Sequence, residues 1–320
     1  MLLASLFTPS TAVGAPSGPE LSEPTAALDR AMNCPKPLGK DGPEPVLLIP
    51  GTASTPESAF GWNSMKAFRE EGTPFCSVTL PDEANADIQR SAEYVVHALR
   101  KMNSSSGKKV QIVGWSQGGG PLPRWALKFW PDTRHMVDNL IGIDPDNHGS
   151  AVVNLLGCGV INTFCSPALW QQRPDSHFIS TLNRGGMTYP EVNYTVLYLN
   201  FSNVVEPSVH GESQSLPPGP NVTNVSLQGT CGGPLSLPSD HATAVGLPIT
   251  ASLIRATLSN PGRPLQKASI NASACTKTLP AIQENIGIIA NNYLQQFTRS
   301  IPRHSVPAEP ALRAYARTTR

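Results

Sequence analysis

The stretch Val110-Gln111-Ile112-Val113-Gly114-Trp115-Ser116-Gln117-Gly118-Gly119-Gly120 decides how the chain is read. Its first half is the apolar, β-branched run of a buried strand, and its second half is G-x-S-x-G, which predicts a sharp strand-to-helix turn with the serine at its apex. The glycines on either side of Ser116 remove side chains that would collide where strand and helix meet. In such a turn Ser116 stands at a helix N-terminus, and the amide of Gln117 faces any anion that forms on a bound carbonyl. A G-x-S-x-G string also occurs in tight βα turns without chemistry. The strand before it, and Trp125-Ala126-Leu127 with Phe129 after it, supply the context that favours a nucleophile elbow.

Working outward, 320 residues suit one large α/β domain, and no internal linker divides them. A net charge of +1, with 15% charged residues and no Lys/Arg stripe, excludes a nucleic-acid partner. Arg313, Arg317 and Arg320 read as a solvated tail. Residues 1–15, beginning Met1-Leu2-Leu3-Ala4, resemble a signal peptide that lacks a basic start. Six cysteines and Asn-x-Ser/Thr sequons at Asn103, Asn193, Asn200, Asn221, Asn224 and Asn271 point the same way, to a secreted, disulfide-bonded, glycosylated protein. No transmembrane segment is expected: the nearest candidate, Ala151 to Cys165, is short and broken by Asn154, Gly157 and Gly159.

Along the chain, Val46-Leu47-Leu48-Ile49 is an apolar strand stopped by Pro50-Gly51. A helix carrying Trp62, Met65 and Phe68 follows, ending at Gly72, and then a strand over Phe75 to Leu80. Ile88, Ala92, Val95, Leu99 and Met102 recur at helical spacing, which predicts a crossover helix laid on the sheet. Leu140-Ile141-Gly142-Ile143 and Tyr194 to Leu199 are further strands, and the Pro/Gly-rich stretch from Pro207 to Ser239 reads as loop. Ile282, Ile286, Ile289, Tyr293 and Phe297 form one apolar helix face whose end is a candidate pocket wall. This alternation predicts a mostly parallel sheet covered on both faces, with functional groups at the carboxyl ends of its strands.

Several short runs then fall into a pattern: Ala27-Leu28-Asp29 followed by Cys34, Ile49-Pro50-Gly51-Thr52, Trp115-Ser116-Gln117-Gly118-Gly119, Ala168-Leu169-Trp170-Gln171-Gln172, Cys231-Gly232-Gly233-Pro234, Asp240-His241-Ala242 and Tyr315-Ala316-Arg317. In order and spacing, from about Pro16 to Arg317, the chain resembles the Candida antarctica lipase B-like family of α/β-hydrolases. The resemblance implies a single α/β-hydrolase domain over 16–320, with a mostly parallel central sheet, flanking helices and a short lid segment at about 150–170. It implies ester cleavage and acyl transfer through an acyl-enzyme, with Ser116 as nucleophile and His241 as general base. Thr52 and Gln117 would form the oxyanion hole, Asp146 and Gln172 a polar pair beside the alcohol side of the pocket, and Trp115 part of the pocket itself. The partner implied is an ester or lipid substrate, met at a lipid–water interface by a monomer. No cofactor or metal is implied. Cys34 with Cys76, and Cys231 with Cys275, stand where the family has disulfides.

Two features depart from the family. Its catalytic acid falls at Ser202, and neither Ser202 nor Asn203 is charged. Losing that charge outright lowers turnover by roughly 10⁴. Three carboxylates are candidates to replace it: Glu206, Asp240, and Asp144 at the end of the preceding strand. Asp144 is the best placed, because Ile141-Gly142-Ile143-Asp144-Pro145 resembles the strand end from which pancreatic-type lipases supply their acid. The alternative is a binding protein for apolar ligands that lost turnover along with the acid. The second departure is Cys158 and Cys165, which are extra. A bridge between them requires that the lid not be one straight helix, in which seven residues span ~10.5 Å.

Overall fold

The computed structural model describes residues 17–155, 158, 165–276 and 286–317, so the expected signal peptide and Ile282 lie outside it. Of the residues 286–290 only the backbone is described. The strands are β1 (Met32–Asn33), β2 (Val46–Ile49), β3 (Phe75–Val78), β4 (Val110–Trp115), β5 (Val137–Ile143), β6 (Asn193–Tyr198) and β7 (Val222–Ser226). They form one sheet in the order β1-β3-β2-β4-β5-β6-β7. Among the described residues only the β1–β3 pair is antiparallel. The elbow strand β4 lies at the centre, between β2 and β5, so the loops that follow these three strands come together at one edge.

β2, β3, β4 and β5 are buried at every residue, as their continuous apolar runs require in a sheet covered on both faces. Alternate side chains of one strand enter different cores: Ile112 packs with Ala92, Val95 and Leu99 on one face, and Val113 with Phe60, Phe68 and Leu253 on the other. The crossover helix Ile88–Ser106 starts at Asp87, whose side chain accepts from the Gln89 amide at 3.0 Å, and ends at Gly107 in the left-handed conformation, φ 67°. Its predicted face, Ile88, Ala92, Val95, Leu99 and Met102, is fully buried.

Three readings are corrected. The helix expected to carry Trp62, Met65 and Phe68 is two helices, Pro56–Phe60 and Ser64–Glu71, with Trp62 in the turn between them. The segment read as loop between Pro207 and Ser239 contains β7, which pairs with β6 at the sheet edge and is buried only at alternate residues. Five residues among prolines and glycines are too few to show that period. The Arg-rich C-terminus is no solvated tail up to Arg317. Tyr315 packs on Phe129 and Trp130, with ring centroids 5.1 and 5.4 Å apart, and its hydroxyl accepts from Trp125 Nε1 at 3.1 Å.

Disulfides join Cys34 to Cys76, Cys231 to Cys275 and Cys158 to Cys165. In the last, the Cα atoms are 5.4 Å apart, about half the distance a straight helix gives them. Of the expected lid segment, Val152–Leu155 and Pro167–Gln171 are described as short helices. Among the described residues no helix is long and apolar enough to cross a membrane.

Candidate active site

The elbow is built as its sequence requires. Ser116 has φ 56°, a conformation that crowds the Cβ of any L-residue, and it opens a 3₁₀ turn, Ser116–Gly119, ahead of the helix Pro121–Phe129. A Cβ on Gly114 would lie 1.8 Å from the Gly118 carbonyl oxygen, and one on Gly118 2.3 Å from that of Pro50, so neither position admits a side chain. Ser116 is 4% exposed and lines a cavity of about 480 Å³.

The end of β5 carries the second component. Asp144 also has positive φ, 42°, and its Oδ2 lies 2.8 Å from Nδ1 of His241, with both side chains fully buried. The rest of the carboxylate is held by neighbours. Ser202 Oγ donates to the same Oδ2 at 2.7 Å, while the Leu199 amide and Gln214 Nε2 donate to Oδ1, each at 3.2 Å. His241 is fixed through its backbone as well: its amide donates to Asn203 Oδ1 at 2.9 Å, and its carbonyl accepts from Trp115 Nε1 at 3.0 Å. Its other ring nitrogen, Nε2, is buried and has no hydrogen-bond partner among the described residues. Neither rival carboxylate is engaged with the ring. Glu206 accepts from Ser208 Oγ at 2.8 Å, and Asp240 accepts from the amide and hydroxyl of Thr243, each at 2.8 Å.

The loop after β2 brings Thr52 to the cavity, 4% exposed, followed by Ala53 at φ 55°. Thr52 Oγ1 accepts from Gln117 Nε2 at 2.9 Å. Asp146 and Gln172 both line the cavity, as expected, but they are not paired with each other. Gln172 meets Thr52 Oγ1 with both amide atoms, Nε2 at 2.8 Å and Oε1 at 3.1 Å. Asp146 is 2% exposed, with no partner for either carboxyl oxygen among the described residues. Burial pushes its pKa up to about 7, and the Asp144 carboxylate adds to the rise while His241 and Arg124 oppose it. Trp115 is corrected: it is buried against the histidine, ring centroids 5.1 Å apart, and does not line the cavity, because it lies two residues beyond Val113 on the same face of β4 and packs in that core. The cavity walls are apolar, with Val152, Val153, Leu169, Val204, Tyr293 and Phe297, and the last two bear out the pocket role considered for the C-terminal helix face. No cluster of three or more His, Cys, Asp or Glu able to hold a metal occurs among the described residues.

None of the protein-family models matches the sequence. Lipase B of Pseudozyma antarctica is 32% identical over 231 residues, which cover 71% of this chain and 66% of that protein. The crystal structure of Aspergillus fumigatus lipase B superposes with a TM-score of 0.84 at 30% identity, covering 94% of this chain and 74% of that one. The chain belongs to the lipase B family of α/β-hydrolases. Bacillus licheniformis lipase BlEst2 in its mature form, at 16% identity and a TM-score of 0.50 over 67% of this chain and 92% of that one, shares the fold alone. In this lipase B family member Ser116 and Thr52 line the same cavity, Gln117 is bonded to Thr52, and His241 is paired with Asp144. The donors Gln214 and Ser202 and the brace Asn203 were not foreseen, since no local motif marks a residue whose role is to bond a side chain from another strand end.

Proposed function

We propose that the protein is a secreted serine ester hydrolase of lipase type, able to pass the acyl group to an alcohol as well as to water. Ser116 Oγ attacks the ester carbonyl carbon while His241 Nε2 takes its proton. Asp144 holds the imidazole in the tautomer that leaves Nε2 free, and stabilises the imidazolium that forms. The negative charge on the carbonyl oxygen falls to the Gln117 amide and the Thr52 hydroxyl, each donor worth roughly 2.7–4 kcal/mol. The tetrahedral intermediate collapses as His241 returns the proton to the departing alkoxide, leaving Ser116 acylated. Water or a second alcohol then attacks the acyl carbon by the same steps in reverse.

The observation that carries this reading is the buried 2.8 Å contact between His241 Nδ1 and Asp144 Oδ2, with Nε2 left unpartnered in the same ring. An apolar-walled cavity suits an acyl chain. Leu155, on the same short helix as the wall residues Val152 and Val153, is 84% exposed, and the wall residue Leu294 is 59% exposed, which suits a lipid surface. Secretion is supported by the cystine content and by the signal-like start of the sequence. The test is release of p-nitrophenol from short- and long-chain acyl esters, with peptide mapping of a fluorophosphonate adduct. Activity lost in Ser116→Ala, and label on Ser116, are the expected results. Label elsewhere contradicts the mechanism.

A further inference from the structure

The turn between β3 and the crossover helix contains three successive non-glycine residues in the left-handed region: Asp82 (φ 54°, ψ 40°), Glu83 (φ 54°, ψ 43°) and Ala84 (φ 62°). Each bears the crowding between Cβ and carbonyl that keeps L-residues out of that region, so the surroundings must hold the turn in place. They do so from several sides. The Ser54 amide donates to the Glu83 carbonyl at 3.0 Å, tying the turn to the loop that carries Thr52. Asn85, fully buried, donates from Nδ2 to Ser300 Oγ at 2.9 Å, and its carbonyl accepts from the Ala168 amide at 3.1 Å. The Ala84 carbonyl is thereby aimed inward, where Gln117 Nε2 donates to it at 2.6 Å.

The same Nε2 donates its second hydrogen to Thr52 Oγ1 at 2.9 Å. A hydroxyl has one proton and two acceptor positions. Gln117 Nε2 carries no lone pair to receive a proton, so this contact requires Thr52 to accept here and to send its own proton elsewhere. Gln172 meets the same hydroxyl with Nε2 at 2.8 Å, a second donor, and with Oε1 at 3.1 Å, an acceptor, and the oxyanion competes for the Thr52 proton once a substrate carbonyl is attacked. We propose that the Gln117 side chain, braced on the Ala84 carbonyl by the left-handed turn, is the positioning group that keeps the Thr52 hydroxyl a donor to the oxyanion. This role is separate from that of the Gln117 backbone amide, and it rests on the ester-hydrolase reading above.

The test is a double-mutant cycle on ester hydrolysis by the full chain. Gln117→Met preserves the backbone amide and the approximate volume while removing both hydrogen bonds. It should lower kcat by about 10–100-fold, less than the 10²–10³ for removing an oxyanion donor outright, with KM little changed. In a Thr52→Val background, which has no hydroxyl left to orient, Gln117→Met should have no further effect on kcat. Effects that multiply would overturn the proposal, since a merely structural glutamine would act independently of the Thr52 hydroxyl. Glu83 offers a second route, because its side chain is exposed. Glu83→Pro forces φ to about −65° and disfavours the present conformation of Asp82, so the Ala84 carbonyl loses its aim. Glu83→Pro should match Gln117→Met in kcat, and Glu83→Gly, which accepts positive φ, should retain it. Equal kcat in Glu83→Pro and Glu83→Gly would refute the brace. Absence of ester hydrolysis in the wild type, or undiminished hydrolysis in a parallel Ser116→Ala sample, would refute the serine ester-hydrolase reading instead, so the two failures are distinguishable.

Discussion

β5 and β6 lie side by side in parallel register from Asn139↔Asn193 to Ile143↔Leu197, yet their carboxyl ends make opposite contributions to the same histidine. The end of β5 delivers a charge, Asp144. The end of β6 delivers only donors to that charge: the Leu199 amide and, after a short loop, the hydroxyl of Ser202. Ser202 stands where the family resemblance places an acid, and it touches the very oxygen that faces His241 Nδ1. Two adjacent strand ends therefore converge on one imidazole, and the site needs one carboxylate between them rather than a carboxylate at a fixed position. A second charge would be harmful, because two carboxylates in hydrogen-bond contact cannot both ionise readily.

The strongest test of that asymmetry removes the β5 charge. Asp144→Asn should lower kcat by roughly 10⁴ with an unchanged circular dichroism spectrum, as expected when an amide fixes the wrong imidazole tautomer. Near-native turnover in this variant would return the acid's role to another residue. The next test moves the charge across: Ser202→Asp in the Asp144→Asn background should recover about 10–100-fold of the loss, the β6 end again supplying the carboxylate. Failure to recover, in a folded double variant, would mean that the strand ends are not interchangeable.

Ser202→Ala should be milder. A hydrogen bond to a charged group is worth about 1.5–3 kcal/mol, but only the part that changes on reaching the transition state affects rate, so kcat should fall by about 3–10-fold. Unchanged kcat in a folded Ser202→Ala variant would show that Ser202 only fills space.

The smallest effect on rate belongs to the other carboxyl near β5. Asp146 is raised from 3.8 to about 7 by burial, so the folded protein holds this proton more tightly than the unfolded chain does. The stability it confers is complete below about pH 4, is lost as pH rises towards 7, and stays lost above that. Asp146→Asn should raise Tm at about pH 8 and leave it near wild type at about pH 4, as read by calorimetry. An equal shift at both values would mean that Asp146 does not titrate in this window.

How far the site was legible follows the same division between strands and what joins them. Val46–Ile49, Val110–Trp115 and the Ile88–Ser106 helix could be read directly because burial imposes a period on consecutive residues. Ser116 and Asp144 were legible because each sits at a strand end with a local mark, G-x-S-x-G for one and Ile-Asp-Pro for the other. Gln214 carries no such mark in a stretch of Ser, Pro and Gly, and its amide reaches Asp144 across 70 residues of sequence. The left-handed turn was equally invisible, because Asp82, Glu83 and Ala84 include no glycine to announce positive φ. The partner of Gln172 was missed for a related reason. Whether its amide turns to Asp146 or to Thr52 is set by packing between segments, not by spacing within one.

The central claim is that Asp144 holds the imidazole through Nδ1, and proton NMR tests it without reference to any substrate. A histidine N–H bonded to a buried carboxylate is a charge-assisted hydrogen bond once the ring is protonated, and its proton resonates far downfield of the backbone amides. The account predicts one such resonance at low pH in the wild type, retained in Ser202→Ala and absent in Asp144→Asn. Its survival in a folded Asp144→Asn variant would contradict the account.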